Sequence, residues 1–324
     1  KEIDELFKII HQLKSEGIGI IYISHRLEEL QHIVDRVIIM RDGKYITQMP
    51  YDINRMDEII ANMVGHEIKE KFPRVSCEKG KKILEVKHLN AGRMVRDINL
   101  ELYEGEIVGI AGLMGAGRTE TTRAIFGIDP KESGEIFIDG KEVKISCPAD
   151  SIKAGLVLAP EDRKKDGLCT RLSIADNIAL PNLDILCEGP VGTVNRKKEK
   201  AMVDNAVKAL KIKLPNAQVD AGSLSGGNQQ KVVVGNWLNT QPKIIMFDEP
   251  SRGIDVKAKQ QIFQIMWEQS RLGIASIMVS SELEELLEVC QRILIMRDGV
   301  IQQEVYPEDV KIDDLYALCM GGEK

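Results

Sequence analysis

Short apolar blocks alternate along this chain with segments that have helical spacing, which is an α/β pattern. The stretch "GEIVGIAG", residues 105–112, predicts a buried strand, and "TETTRAIFG", residues 119–127, predicts the helix that follows it. Further buried strands are predicted within "KIIMFDEP", residues 243–250, and at Ile274–Val279. The chain opens on "KEIDELFKIIHQLKSEG", where apolar residues at helical spacing predict an amphipathic helix.

Part of this pattern occurs twice. The stretch "GIGIIYISHRLEELQHIVDRVIIMRDGKYI" from Gly17 matches "GIASIMVSSELEELLEVCQRILIMRDGVIQ" from Gly273 without a gap. Each copy predicts an apolar strand (Ile18–Ile23 and Ile274–Val279), a helix beginning near "LEEL", a strand ending in "IMRDG" and a further strand after the glycine turn. We therefore expect the same local structure twice.

The repeat also predicts the domain organisation. Its second copy closes a long domain that starts near Lys82, whereas nothing comparable precedes its first copy. We expect residue 1 to be a truncation point, residues 1–77 to be the C-terminal part of a first domain, 78–82 to be a short charged linker, and 83–324 to be a complete second domain. The alternative is a small independent N-terminal domain whose match is a coincidence.

Composition narrows the class of protein. The 324 residues, 43% of them hydrophobic, are enough for a sizeable core. The formal net charge of −6 and the absence of a basic stripe argue against a nucleic-acid partner. No apolar run has the roughly 20 residues of a membrane span, and no signal-peptide pattern is present, so a cytosolic protein is expected. Six scattered cysteines, without a CxxC pair or zinc-ligand spacing, are interpreted as reduced thiols.

The stretch "GLMGAGRTE", residues 112–120, lies between a predicted strand and a predicted helix. Glycines allow backbone N–H groups to curl around phosphates at a helix N-terminus, and Thr119 stands where a hydroxyl would meet Mg²⁺. The loop departs from the usual pattern at Arg118, which replaces a lysine. Taken alone, such a glycine pattern also fits an ordinary strand-to-helix turn.

Two further motifs strengthen the phosphate-loop interpretation. The strand in "KIIMFDEP" ends in Asp248 and Glu249, a pair in which one carboxylate can hold Mg²⁺ and the next can orient or deprotonate a water. An exposed acidic turn is the simpler explanation of such a pair by itself. The stretch "LSGGNQQK", residues 224–231, offers a second helix start able to bind an anion.

Together, "GLMGAGRT", "LSGGNQQK", "IIMFDEP", "SRGID" and "VSSELEEL" resemble, in this order, the ATP-binding subunit of an ABC transporter, and more narrowly the tandem ATPases of bacterial monosaccharide importers of the ribose, galactose and xylose type. The resemblance covers the whole chain. It implies a P-loop ABC-type ATPase domain, with a mixed-sheet core and a helical subdomain, preceded by the C-terminal part of a second such domain. In this family each ATP lies between the phosphate loop of one domain and the "LSGG" signature of the other.

The resemblance assigns roles to individual residues. Glu249 and His25 are implied to be catalytic, His25 as the γ-phosphate contact of the first domain, while Thr119 and Asp248 are implied to hold Mg²⁺. Asp255 of "SRGID" is implied to signal across the dimer, and a helix cap is the alternative. The residues implied to bind ATP are Gly112, Gly115, Ala116, Gly117, Arg118, Thr119, Glu120, Glu161, Ser225, Gly226, Gly227, Gln229 and Ser281.

The site around Arg118 departs from the family pattern. A guanidinium is bulkier than the compact ammonium of lysine. Ser281 stands where the first copy has His25, and Glu161 stands at the glutamine-loop position, where an ionised carboxylate accepts hydrogen bonds but donates none. No aromatic residue in "NAGRMVRDI" is an obvious stacking partner for adenine. We therefore expect ATP binding at this site with slow or no hydrolysis, and fast hydrolysis at the site that contains His25.

The resemblance also implies a function and partners. The chain is expected to energise import of a monosaccharide from the cytoplasmic face of a bacterial membrane. The partners implied are transmembrane permease subunits, an external sugar-binding protein that acts through them, and the missing first ATPase domain. Two alternatives remain: a non-hydrolysing nucleotide-binding module of the same transporter, and a tandem ATPase acting on ribosomes or DNA repair complexes. The short linker without cysteine motifs counts against the latter.

Overall fold

The computed structural model describes residues 2–23, 30, 32–41, 44–52, 55, 58–59, 62, 80–189 and 192–321. The chain divides into two units. The first consists mainly of residues 1–73, and the second of residues 74–254 and 258–324. His25 lies outside the described residues.

In the first unit, the described elements are one helix and one β-hairpin. Helix α1 spans Glu2–Ser15, as its apolar spacing predicts. Strands β1 (Arg36–Arg41) and β2 (Lys44–Pro50) pair antiparallel. A small buried cluster lies on this hairpin and its surroundings, and it contains Leu30, Val37, Ile39, Met49 and Ile59.

The second unit contains two sheets. An antiparallel sheet has the strand order β4-β3-β6-β7, formed by β3 (Lys82–Ala91), β4 (Val95–Tyr103), β6 (Ser133–Ile138) and β7 (Lys141–Glu142). A six-stranded sheet has the order β14-β13-β5-β12-β11-β8. Its strands are β5 (Ile107–Ala111), β8 (Leu156–Ala159), β11 (Ile244–Asp248), β12 (Ala275–Val279), β13 (Arg292–Arg297) and β14 (Val300–Val305). Only the β13–β14 pair of this sheet is antiparallel, so the sheet is mixed, as expected.

The helices of the second unit follow in chain order. They are α2 (Arg118–Phe126), α3 (Pro148–Ala154), α4 (Ile174–Ala179), α5 (Leu183–Leu186), α6 (Arg196–Ala209), α7 (Gly226–Leu238), α8 (Val256–Arg271), α9 (Leu283–Val289) and α10 (Ile312–Met320). Between α5 and α6, β9 (Cys187–Glu188) and β10 (Thr193–Val194) form a short antiparallel pair. The segment from α4 to α7 is largely helical.

The core of the second unit combines residues from both sheets with residues of α2. Strands β5, β11 and β12 are buried along their whole length, which explains why their sequences are continuous apolar runs. Ile110, Ile136 and Leu156 are among the side chains without exposed surface. The carboxyl ends of β5, β11 and β12 meet at one edge because these strands are parallel neighbours.

The structure confirms the hairpin part of the repeat, while most of the helix predicted near "LEEL" in the first copy lies outside the described residues. β1 and β13 occupy equivalent positions, as do β2 and β14, and both hairpins shift register at the same place, between Ile39 and Met40 in the first and between Ile295 and Met296 in the second. The strand predicted at Ile18–Ile23 was wrong: these residues form no strand, and Ile21 and Ile23 are each 92% exposed. A central strand needs hydrogen-bonding neighbours, and its counterpart β12 has β5 and β11 on its two sides.

Candidate nucleotide-binding site

The loop between β5 and α2 depends on two glycines for its path. Gly117 has φ = 102° and immediately precedes α2, and a Cβ there would overlap the carbonyl oxygen of Met94. A Cβ at Gly112 would overlap the carbonyl oxygen of Met296. At Gly115, by contrast, φ is 80° and no other heavy atom lies within 4 Å of a Cβ position. The loop is therefore packed closely on one side and open on the other.

Ala116 and Glu120 complete this segment. The amide of Ala116 donates to the carbonyl of Leu113 at 3.0 Å, and its carbonyl accepts from the amide of Gly299 at 2.9 Å. Glu120 lies in the first turn of α2 and is half-buried. The first N–H groups of a helix have no partner within the helix, so the start of α2 offers donors for an anion.

Thr119 and Asp248 lie side by side, although they are far apart in sequence. The Thr119 hydroxyl donates to Asp248 Oδ1 at 3.1 Å. Asp248 ends β11 and is 2% exposed. Burial raises the pKa of Asp248 to about 6, and the nearby negative charge of Glu249 adds to this effect, while the hydrogen bond from Thr119 and the charge of Arg118 oppose it.

Glu249 is contacted at both of its carboxylate oxygens. Nη2 of Arg118 lies 3.5 Å from Oε1, and the hydroxyl of Ser281 donates to Oε2 at 3.0 Å. The backbone of Glu249 has φ = 47°, and its amide donates to the carbonyl of Val279 at 2.9 Å. Arg118 also donates from Nη1 to the carbonyl oxygen of Ser280. The carboxylate is thus restrained by two residues, both at positions where the sequence departs from the family pattern.

Glu161 forms an ion pair with Arg252, in the segment that follows Glu249. Arg163, two positions later, donates to the carbonyls of Arg252 at 2.7 Å and Gly253 at 3.1 Å. The segment after β8 is therefore held against the segment after Glu249.

The "LSGG" residues begin α7. Ser225 has an extended backbone and precedes the helix, and its hydroxyl accepts from the Asn228 side chain at 2.9 Å. A Cβ at Gly226 would lie 2.9 Å from the carbonyl oxygen of Gly253, and one at Gly227 would overlap Cβ of Ala258. Glycine is therefore required at both positions by close packing.

Gln229 is buried, and its amide is used within its own segment. Nε2 donates to the carbonyls of Gly222 at 3.2 Å and Leu224 at 3.1 Å. These bonds hold the turn that leads into α7. Arg118 and Thr119 of the phosphate loop are thus brought together with Asp248, Glu249 and Ser281. The residues around Ser225 form a second group, which lies close to Gly253 and Ala258.

The sequence motifs gave no individual role to Glu285, Ser251, Ser280 or Lys259. These side chains form a largely buried polar cluster that includes Ser251, two residues after Glu249. The one available signal was that both repeat copies carry "LEEL", with Glu29 aligned to Glu285. A glutamate in a helix is ordinarily a surface residue, so the pattern alone gave no reason to place it in the interior.

Comparison with known proteins identifies the fold. Residues 95–252 match the sequence profile of the ABC transporter family. A solved nucleotide-free ATP-binding cassette of an ABC transporter superposes with a TM-score of 0.62 at 22% sequence identity, covering 75% of this chain and 100% of that one. The second unit therefore has the ABC cassette fold, as the sequence predicted.

Curated relatives extend the similarity to both units. The ribose import ATP-binding protein of Bacillus licheniformis is 42% identical over 322 residues, which is 99% of this chain and 65% of the relative. The galactose/methyl galactoside import ATP-binding protein of Fusobacterium nucleatum is 42% identical over 320 residues, 98% of this chain and 64% of the relative. The chain thus spans about two thirds of the length of these relatives. Among the described residues, no helix is long and apolar enough to cross a bilayer.

Proposed function

We propose that this chain binds ATP at the site formed by the phosphate loop, Asp248 and Glu249, and that it is part of an ATPase that energises import of a monosaccharide of the ribose or galactose type. The hydrogen bond between Thr119, at the start of the helix that follows the glycine loop, and Asp248, at the end of β11, carries this proposal. The names of the relatives supply the sugar-import context. The loop backbone and the start of α2 would bind the phosphates.

The residues present fit Mg²⁺. A hydroxyl and a carboxylate oxygen 3.1 Å apart are hard donors of the kind that this ion prefers, and Asp248 is too buried to stay charged without compensation. Thr119 and Asp248 would hold the ion, which when bound neutralises phosphate charge. The loop backbone and the first N–H groups of α2 would then orient the phosphates.

Hydrolysis at this site is proposed to be slow. Glu249 would be the general base, but Arg118 and Ser281 each contact one of its oxygens, which restricts how the carboxylate can turn toward an attacking water. The side chain of Ser281 is also shorter than that of a histidine, so it reaches less far toward the phosphates. We propose that faster hydrolysis occurs at a second site, the one at which the family resemblance implies that His25 contacts the γ-phosphate.

In this proposal the protein is peripheral, on the cytoplasmic face of a bacterial membrane. It works with permease subunits that span the membrane and, through them, with an external sugar-binding protein. We also keep the domain organisation proposed from the sequence, in which residues 83–324 form the second ATPase domain. The sugar itself would be selected by the permease and the binding protein.

The test is the ATP turnover of the full tandem protein with its permease, with and without Glu249→Gln. A change of less than about twofold is expected, because the site with His25 would supply most of the rate. Glu284→Gln, an exposed neighbour in α9, serves as the matched control. A fall by orders of magnitude would show that the Arg118 site is a fast catalyst and would refute the asymmetry.

A non-hydrolysing module is the second candidate, and the restrained Glu249 favours it over an ordinary ATPase site. A His25→Ala background separates the two, because it silences the other site. Residual turnover that disappears with Glu249→Gln supports slow hydrolysis here. Complete absence of turnover in the His25→Ala protein, with ATP still bound, supports the non-hydrolysing module.

A further inference from the structure

A buried polar cluster joins the segments that carry Glu249 and Ser281, and the carboxylate of Glu285 is its centre. Glu285 lies on α9 and is 1% exposed. Its Oε2 accepts hydrogen bonds from the hydroxyls of Ser251 and Ser280, each at 2.8 Å. Its Oε1 lies 2.6 Å from Nζ of Lys259. A buried carboxylate is retained only when such partners compensate the loss of water.

Each partner belongs to a different part of the nucleotide site. Ser251 is two residues after Glu249 and begins the segment 251–255. Ser280 directly precedes Ser281, and its carbonyl oxygen accepts from Arg118. Lys259 lies in the first turns of α8, which follows that segment. One carboxylate therefore ties together the ends of β11 and β12 and the start of α8.

The local contacts reinforce this arrangement. The hydroxyl of Ser280 also accepts from the amide of Glu282 at 3.0 Å, and Lys259 lies 2.6 Å from Glu282 as well as from Glu285. Burial raises the pKa of Glu285, and the ammonium of Lys259 opposes that effect. The Lys259 ammonium beside Oε1 favours the ionised carboxylate, to which hydrogen bonds from the two serines are stronger than to a neutral acceptor.

We propose that Glu285 is a positioning residue for the nucleotide site, which sets the spacing between Glu249 and Ser281 by holding Ser251 and Ser280. The inference rests on the proposed function. Glu285 touches neither residue directly and acts through their neighbours in the chain. Because Glu249 and Ser281 are assigned to the γ-phosphate end of the site, the predicted consequence is preference for ATP over ADP.

The experiment compares the dissociation constants of a non-hydrolysable Mg²⁺–ATP analogue and of Mg²⁺–ADP for the full chain and its Glu285→Gln variant. Glutamine keeps the size but loses the charge, and its amide would face the Lys259 ammonium. The preference for the ATP analogue should fall about tenfold, the size expected when hydrogen bonds to a charged group are weakened, while ADP affinity changes less than about twofold. Glu284→Gln, exposed and adjacent, should change neither constant.

Two milder variants keep the test decisive if Glu285→Gln fails to fold. Ser251→Ala and Ser280→Ala each remove one donor and should each lower the same preference by a fewfold. Unchanged preference in these variants, or an equal loss of ATP and ADP affinity, would overturn the positioning role. Failure of the unaltered chain to bind the ATP analogue would instead overturn the proposed function, so the two failures are distinguishable.

Discussion

Arg118 and Glu249 form an ion pair in which Nη2 lies 3.5 Å from Oε1, and each side chain is only 10% exposed. The arginine stands in the phosphate loop and the glutamate follows β11, so the contact joins the two motifs that define the site. Ser281 holds the other oxygen of the same carboxylate at 3.0 Å. Two of the departures from the family pattern, Arg118 and Ser281, thus contact the same carboxylate.

The first prediction is that these two departures limit the rate together. Arg118→Lys combined with Ser281→His should raise ATP turnover at this site about tenfold or more, which corresponds to lowering the barrier by at least ~1.4 kcal/mol. A compact ammonium and an imidazole would replace the restraint on Glu249 with contacts toward the phosphates. The rate should be measured in the full tandem protein with His25→Ala, so that the other site does not mask it.

Ser281→Ala is the control for this prediction. It also removes the contact with Glu249 but supplies no group that could contact a phosphate. Its turnover should stay low. A rise in Ser281→Ala equal to that of the double variant would mean that releasing Glu249 is sufficient and that the histidine position is irrelevant.

The second prediction concerns Thr119. Thr119→Val should weaken Mg²⁺-dependent ATP binding roughly tenfold, because it removes the hydroxyl that lies beside Asp248 and leaves a buried carboxylate with one partner fewer. Binding in the presence of EDTA should be almost unchanged. Thr119→Ser, which keeps the hydroxyl, should behave like the unaltered chain. If Thr119→Val lowered ATP affinity equally with and without Mg²⁺, the variant would have a packing defect and not a lost metal contact.

The third prediction uses the raised pKa of Asp248. Its ionised form is disfavoured in the folded protein, so the cost to stability is absent below the unfolded pKa of 3.8, grows between there and about 6, and is complete above 6. Asp248→Asn should therefore stabilise the nucleotide-free chain at pH 7.5, by up to about 3 kcal/mol. The gain should shrink toward zero near pH 4.

Urea denaturation of both proteins at pH 7.5, 6 and 4.5 measures this dependence. Asp184→Asn, at an exposed acid in α5, is the control and should show no such trend. If the difference between Asp248→Asn and the unaltered chain does not vary with pH, Asp248 is not the buried acid that the structure places at the end of β11.

The fourth prediction contrasts two glycines of one loop. Both Gly115 and Gly117 have positive φ, at 80° and 102°, so alanine at either position costs about 1 kcal/mol in backbone energy. Only at Gly117 would the new Cβ also overlap the Met94 carbonyl. This overlap should make the loss of unfolding free energy more than twice that of the Gly115 variant. Thermal or urea unfolding of the two alanine variants tests the contrast, which comparable losses would contradict.

Much of the fold followed from the sequence because its signals are local. Continuous apolar runs marked β5, β11 and β12, and the glycine turn marked the start of α2. The repeat predicted two equivalent hairpins, which the structure confirms, including the shared register shift. The Ile18–Ile23 strand failed because strand formation depends on neighbours that a local pattern does not specify.

For the nucleotide site, too, some features followed from the sequence and others only from the structure. Its motifs could be named from residue types and spacing alone, since a phosphate loop and an acidic strand end are short contiguous features. The pairing of Thr119 with Asp248, the restraint of Glu249 by Arg118 and Ser281, and the role of Glu285 as a shared acceptor depend on contacts between distant segments. The sequence by itself determined which groups are present and which local elements carry them. Only the tertiary structure decided which groups meet, because parallel strand order brings the ends of β5, β11 and β12 to one edge and burial then forces their polar side chains to satisfy one another.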